Sequence, residues 1–361
     1  MPDLPIELDY QPVLPAKLDH GIAIVGCGSI VQAATLPCYQ KHQLHIVGCY
    51  DLNRSKAELA AQRFGIPRVY DSLAALLADP TVAIVEIAVM PWAQVDLAQQ
   101  AIRAGKHLLC QKPLADNFPQ ATELVQLARA HGVKLAVNQQ MRWDPATRAA
   151  KMLIQQGRIG EPTDVNIQAS LKDIVNPREM WTTPVRRFEL FYHSIHYLDS
   201  LRFLFGNPLW ITSRPARSPL QNNFQGETKT ITILDYASGL QAMVITNLAN
   251  QGLDEHVTYR YLGTEGVIHG TLGLLNYPQG EPDTLTWRSK QGNPAQRFTV
   301  QLTGAWFPDA FIGPITSLMQ AIDEDGVPET AGLDNLDTLR VIEAAYRSAE
   351  ENRSVQFGEI R

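Results

Sequence analysis

The sequence predicts an α/β protein in two parts: an N-terminal doubly wound parallel sheet, followed by an α+β unit with a large, mainly antiparallel, open-faced sheet. Three observations carry this. Residues 21–141 alternate short apolar runs with helix-forming stretches, the pattern of a parallel sheet covered on both faces. Beyond residue 141, strand candidates follow one another across turns such as Ala237-Ser238-Gly239 and Thr264-Glu265-Gly266, which suits antiparallel neighbours. A length of 361 residues also exceeds one core of ordinary size.

Residues 1–20 are proline-punctuated and aperiodic, and read as an extended arm. Ile22–Val25 is then a buried strand running into Gly26-Cys27-Gly28. Gly26 permits a sharp turn, and Gly28 lacks the Cβ that would hold a pyrophosphate off the backbone. The N–H groups that follow, at Ser29 and Ile30, open a helix and meet phosphates with the macrodipole behind them. Val31 occupies the place of the third glycine in G-x-G-x-x-G, Ala33 and Ala34 restore some close approach, and Pro37 is expected to end or kink the helix. A second strand, Leu44–Tyr50, ends in Asp51, 23 residues past Gly28 and well spaced to grip an adenosine ribose. This constellation predicts a Rossmann-type dinucleotide site. It favours NAD over NADP, because Asp51 would repel a 2′-phosphate, with Arg54 partly countering that repulsion.

Later elements continue the alternation. Helices are expected over Arg54–Phe64, Leu73–Ala78, Ala93–Ala104 and Pro119–His131, and strands from Val69 and over Ala83–Val89, His107–Cys110 and Lys134–Asn138. After a helix at Ala146–Gln156 come strands at 164–171, 228–236, 240–248, 256–262, 267–270, 284–288 and 297–302. One helix, Glu189–Phe205, lies between the first two of these, and helices at 310–323 and 335–350 close the chain. The domains therefore read as 1–20, 21–141 and 142–361. Strand residues Ile231, Ile233, Leu234, Met243, Val244 and Ile245 are apolar on both sides, so the second sheet is expected to be covered by a further copy in a homodimer or homotetramer.

Composition excludes several functions. The net charge of −6 and the absence of long Lys/Arg runs leave nucleic acid without a neutralising surface. No apolar run approaches the roughly 20 residues of a membrane span, and the acidic, proline-bearing start is unlike an export signal. Four cysteines without a C-x-x-C pair suit small core residues kept reduced in the cytoplasm.

Two further stretches could carry chemistry. Lys112 directly follows a parallel strand at its carboxyl end, the edge where such sheets bind ligands, so it could present a cation to nicotinamide or alkoxide; a solvated loop lysine is the competing reading. In Tyr192-His193-Ser194-Ile195-His196-Tyr197-Leu198-Asp199, helical spacing puts Tyr192, His196 and Asp199 on one face and His193 on another. A histidine beside a carboxylate suits a general base, though a structural pair is the commoner use. His193, His196 and Asp199 spread too widely for zinc, so no metal is expected.

The chain resembles the Gfo/Idh/MocA oxidoreductases along nearly its whole length after the arm. The matching pieces are IAIVGCGSIV, Asp51, VMPWAQ, AGKHLLCQKP, HYLDSLRFLFG, FIGPITSLMQAI and LRVIEAAYRSAEE. The resemblance implies that Lys112 touches nicotinamide and substrate and that His196 is the acid/base; Tyr192 is expected to orient substrate, since a phenol can donate a hydrogen bond to its oxygen. Arg142 and His193 would complete the substrate site, while Pro91, Gln94 and Gln111 would lie with the cofactor. Three residues depart from the family pattern: Gln111 for the glutamate of E-K-P, Gln94 for a frequent histidine, and Tyr192 for an aspartate. The function implied is an NAD-dependent oxidoreductase moving hydride between nicotinamide and a secondary hydroxyl of a sugar, polyol or sugar acid. A catalytically silent NAD-binding regulator and a redox-cycling glycosidase stand as alternatives.

Overall fold

The computed structural model describes residues 8–172, 184–221, 224–250, 252, 254–275, 282–290 and 296–361. These form two compact units. One is built from Pro12–Gln140 and Pro308–Leu339, the other from Met141–Phe307 and Arg340–Arg361 with the described residues up to Gln11.

The first unit holds strands β1 (Ile22–Val25), β2 (Ile46–Tyr50), β3 (Ile84–Ile87), β4 (His107–Cys110) and β5 (Leu135–Val137). They pair in the order β2-β1-β3-β4-β5, every pair parallel, which is the doubly wound sheet expected. Helices α1 (Leu36–Lys41), α2 (Arg54–Phe64), α3 (Leu73–Ala78), α4 (Pro91–Arg103) and α5 (Phe118–Ala130) connect them. Cover on both faces explains why β1 and β3 are buried at every residue. Local chemistry sets the helix ends: Ser72 accepts from the Ala75 N–H and Asn117 from the Gln120 N–H, while prolines open α4 and α5 where no N–H is needed. The strand expected from Val69 is reduced to a single bridge to Cys49.

Residues 308–339 cluster with this first unit rather than with the 142–361 stretch. The chain returns to the β5 edge, where the Val137 N–H donates to Thr330 O (2.8 Å) and Lys134 binds the Asp325 carboxylate (2.7 Å). Helix α8 (Ile312–Asp323) lies in that segment, and α9 (Gly332–Glu351) begins in it.

In the second unit, α6 (Pro145–Gln155) precedes β6 (Pro162–Ser170), and α7 (Ile195–Phe205) precedes β7 (Trp210–Ser213), β8 (Lys229–Asp235), β9 (Gln241–Asn247), β10 (His256–Gly263), β11 (Gly266–Thr271), β12 (Thr284–Ser289) and β13 (Phe298–Gln301). A final strand, β14 (Val355–Gln356), follows α9. They form one nine-stranded sheet, β13-β12-β11-β10-β6-β9-β8-β7-β14, in which only β6 and β9 pair in parallel. Its strands alternate cleanly. On β8 and β9, Leu234, Ala242 and Val244 are buried, while Ile231, Ile233, Met243 and Ile245 keep some exposure on the opposite face.

Candidate active site

β1 delivers the chain to Gly26, whose φ is +94°; a Cβ there would meet Ala88 O at 2.4 Å, so only glycine makes this turn. A Cβ at Gly28 would meet nothing within 4 Å, which leaves open ground over the loop. At the end of β2 the Asp51 carboxylate accepts the Cys27 N–H on one oxygen and the Asn53 N–H on the other, both at 2.7 Å. Each oxygen keeps a lone pair for an outside donor such as a ribose hydroxyl. Exposed Ser29 and half-buried Ile30 begin the helix, and a π turn at Val31–Thr35 leads into α1. That wider turn, closed by the Leu36 N–H on Val31 O, lets the helix pass Pro37 and run to Lys41 instead of ending there. Arg54, expected to offset repulsion of a 2′-phosphate, is paired with the Glu58 and Asp71 carboxylates. The turn, the open helix start and the anchored carboxylate fit a dinucleotide of the NAD type.

The next strand pair of the same sheet presents Lys112. At the end of β4 the Gln111 N–H completes the ladder on Ile87 O (2.9 Å) and also reaches Gln94 Oε1 (3.1 Å). Gln94, on α4 one turn after buried Pro91, is itself fully buried. Its Nε2 donates to three carbonyls, Gln111 O (2.8 Å), Pro113 O (3.0 Å) and Leu114 O (3.0 Å). The Gln111 side chain turns back to accept the Lys112 N–H (3.1 Å), and its Nε2 is buried without a hydrogen-bond partner. Lys112 is half-buried, and desolvation pushes its ammonium down to about 8.

In the second unit the histidine helix is not uniform. A π turn at Leu190–Ser194 carries Tyr192 and His193, and α7 proper carries His196 and Asp199. π turns recur at functional sites because they re-aim side chains within a helix. His196 is buried with its ring edge-on to Trp306 at 5.1 Å. Half-buried Tyr192 stacks on Phe188 at 6.0 Å. Asp199 receives a bidentate pair from Arg142, Nε to Oδ2 and Nη2 to Oδ1, both at 2.7 Å and wholly buried, with Arg202 at 3.8 Å. The carboxylate one turn after His196 thus holds Arg142, a group expected to reach substrate. His193 has its own carboxylate: Nδ1 lies 3.2 Å from Glu189 Oε1, which also accepts the Ser194 hydroxyl at 2.6 Å. Sequence reasoning passed over Glu189, although a Glu-x-x-x-His spacing on a helix was there to be read. Arg187 is paired to Glu343 at 2.8 Å, while Arg186 is exposed. Among the described residues, no group of three His, Cys, Asp or Glu could hold a metal ion.

Residues 20–139 match the family described as an oxidoreductase family with an NAD-binding Rossmann fold, and residues 151–357 match that family's C-terminal α/β domain. The chain belongs to the Gfo/Idh/MocA oxidoreductase family. It is accordingly an NAD-binding oxidoreductase acting on CH–OH groups. D-Apiose dehydrogenase of Paraburkholderia graminis is 27% identical over 348 residues, covering 93% of this chain and 89% of that one. An Agrobacterium radiobacter oxidoreductase solved with NAD+, L-tartaric acid and magnesium superposes with a TM-score of 0.84 at 24% identity, covering 95% of this chain and all of the other. Levoglucosan dehydrogenase in complex with NADH and levoglucosan gives a TM-score of 0.81 at 20% identity, covering 93% and 99%. At such identities the two structures speak for the fold. No helix among the described residues is long and apolar enough to cross a membrane.

Proposed function

We propose that the protein is an NAD-dependent dehydrogenase interconverting a secondary hydroxyl of a sugar, polyol or sugar acid with the corresponding carbonyl, in the cytoplasm and as a homodimer or homotetramer. The observation that carries this reading is the placing of Lys112, a desolvated ammonium at the carboxyl edge of the same parallel sheet that ends in Gly26–Gly28 and Asp51. When bound, NAD supplies the hydride acceptor. Lys112 serves as the cation that steadies negative charge growing on the substrate oxygen. His196 takes the hydroxyl proton as hydride leaves, and returns it in the reverse direction. Tyr192 orients the substrate through its hydroxyl. The sugar-acting relative D-apiose dehydrogenase supports the substrate class without fixing its member.

A panel of sugars, polyols and aldonates screened for NADH formation tests the activity. On the substrate so found, His196→Ala is expected to lower turnover by about 10²–10⁴-fold with NADH affinity little changed, and Tyr192→Phe to cost less, chiefly in substrate affinity. Near wild-type turnover in His196→Ala overturns the assignment of the base. NAD binding without NADH formation on any member of the panel overturns the dehydrogenase reading: sugar release from glycosides without net NAD change then favours the redox-cycling glycosidase, and neither activity favours the silent regulator.

A further inference from the structure

Outside the groups assigned above, Gln94 is buried in the first unit with an amide whose contacts all go to one turn. Its Nε2 faces Gln111 O, Pro113 O and Leu114 O at 2.8–3.0 Å, and its Oε1 faces the Gln111 N–H at 3.1 Å. The orientation of the amide is forced, because the flipped form would set an oxygen against three carbonyl oxygens. Two N–H groups are thus spread over three carbonyls on both sides of Lys112, and the residue on its N-terminal side is held at both its N–H and its C=O. Expected beside the cofactor, Gln94 spends every polar atom on the protein's own backbone.

We infer that Gln94 is a positioning residue for Lys112: its side chain clamps the Gln111–Leu114 turn and so fixes where the Lys112 ammonium is presented. The inference rests on the reading of Lys112 as the cation at the reacting centre. The clamp must be a donor that is also uncharged. A carboxylate would repel the three carbonyls, and an apolar side chain would leave them buried and unsatisfied, whereas an imidazole can still supply one N–H. Loosening the turn admits water to Lys112, which removes part of the desolvation that lowers its ammonium. It also lets that ammonium wander, and displacements near 1 Å at a reacting centre can cost about 100-fold in rate.

The test uses the full chain carrying Gln94→Met, Gln94→His or Lys112→Met. The reactivity of Lys112 toward trace acetic anhydride is followed by mass spectrometry across pH without cofactor, alongside NADH affinity and kcat and KM on the substrate from the panel. Gln94→Met is expected to move the Lys112 labelling midpoint upward by about one pH unit and to lower kcat by about 100-fold, with NADH affinity within about threefold. Gln94→His should recover most of both effects. An unchanged labelling midpoint and kcat in Gln94→Met, with Lys112→Met inactive, overturns the clamp and leaves the role of Lys112 standing. Full turnover in Lys112→Met overturns the role of Lys112, while the labelling profile still decides the clamp. Should Gln94→Met not fold, Gln94→Asn replaces it, since the shorter amide cannot reach the carbonyls; wild-type behaviour there overturns the inference.

Discussion

At the scale of single residues, the Arg142–Asp199 pair decides between two uses of an arginine. Both side chains are almost wholly buried and joined by two charge-assisted hydrogen bonds of 2.7 Å. Removing one partner leaves a buried charge, which costs more than the pair contributes. Arg142→Met is therefore expected to lower unfolding free energy by about 3 kcal/mol in urea titration, softened by Arg202 at 3.8 Å from the stranded carboxylate. Unchanged stability together with a raised substrate KM would return Arg142 to the substrate. The sequence could supply the candidates here but not this choice. Arg142 and Asp199 lie 57 positions apart, and no local pattern says that they meet. Gln94 is similar: its place in the VMPWAQ stretch is legible, while its hydrogen bonds to residues 111–114 exist only once α4 packs beside β4. Lys112 is the partial exception: its place two residues past the carboxyl end of β4 is legible from the strand, whereas the setting of its turn depends on Gln94.

At the scale of elements, β3 carries a carboxyl where a parallel strand normally carries only apolar groups. Glu86 is buried, accepts one hydrogen bond from Thr35 in the π turn at 3.4 Å, keeps its other oxygen buried without a hydrogen-bond partner, and has Tyr39, Cys38 and Cys110 for neighbours. Desolvation pushes it up to about 7. Between the usual carboxylate range and pH 7 the folded protein holds a proton that the unfolded chain releases, so stability falls as pH rises through that window. The full difference corresponds to about 3 kcal/mol. Glu86→Gln should consequently gain up to about 3 kcal/mol relative to wild type on going from pH 5 to pH 8 in urea unfolding; a pH-independent difference would defeat the idea. Element boundaries themselves were mostly legible, since fully apolar runs and capping residues mark them. What escaped was what depends on distant partners. The edge strand β14 and its neighbour β7 are two and four residues long and exist by pairing with each other and, for β7, with β8. The π turns lie inside helical patterns that read as continuous.

At the scale of the whole molecule, the second unit's sheet has one face packed against helices and one that is not fully covered within the chain. On that outer face Ile231 stands directly opposite Ile245, and Ile233 opposite Met243, with Ile231 47% exposed. Their inward neighbours Leu234, Ala242 and Val244 are buried, so the doubly apolar strands noted in the sequence divide into a core face and an outer face. A contiguous apolar patch of such pairs left in water is uncommon on single chains. Asn166 and Gln168 on β6 flank Met243 and Ile245, giving the patch the polar border typical of an interface. A second copy meeting this face would bury the four apolar side chains against their own equivalents, as two-fold symmetry allows. Light scattering at micromolar concentration is expected to give at least twice the mass of one chain. Ile231→Arg would set like charges against each other across the two-fold, and should yield single chains with unchanged far-UV circular dichroism. A wild-type particle of single-chain mass would show that this face stays in water, and an Ile231→Arg protein still assembled would move the interface elsewhere on the molecule.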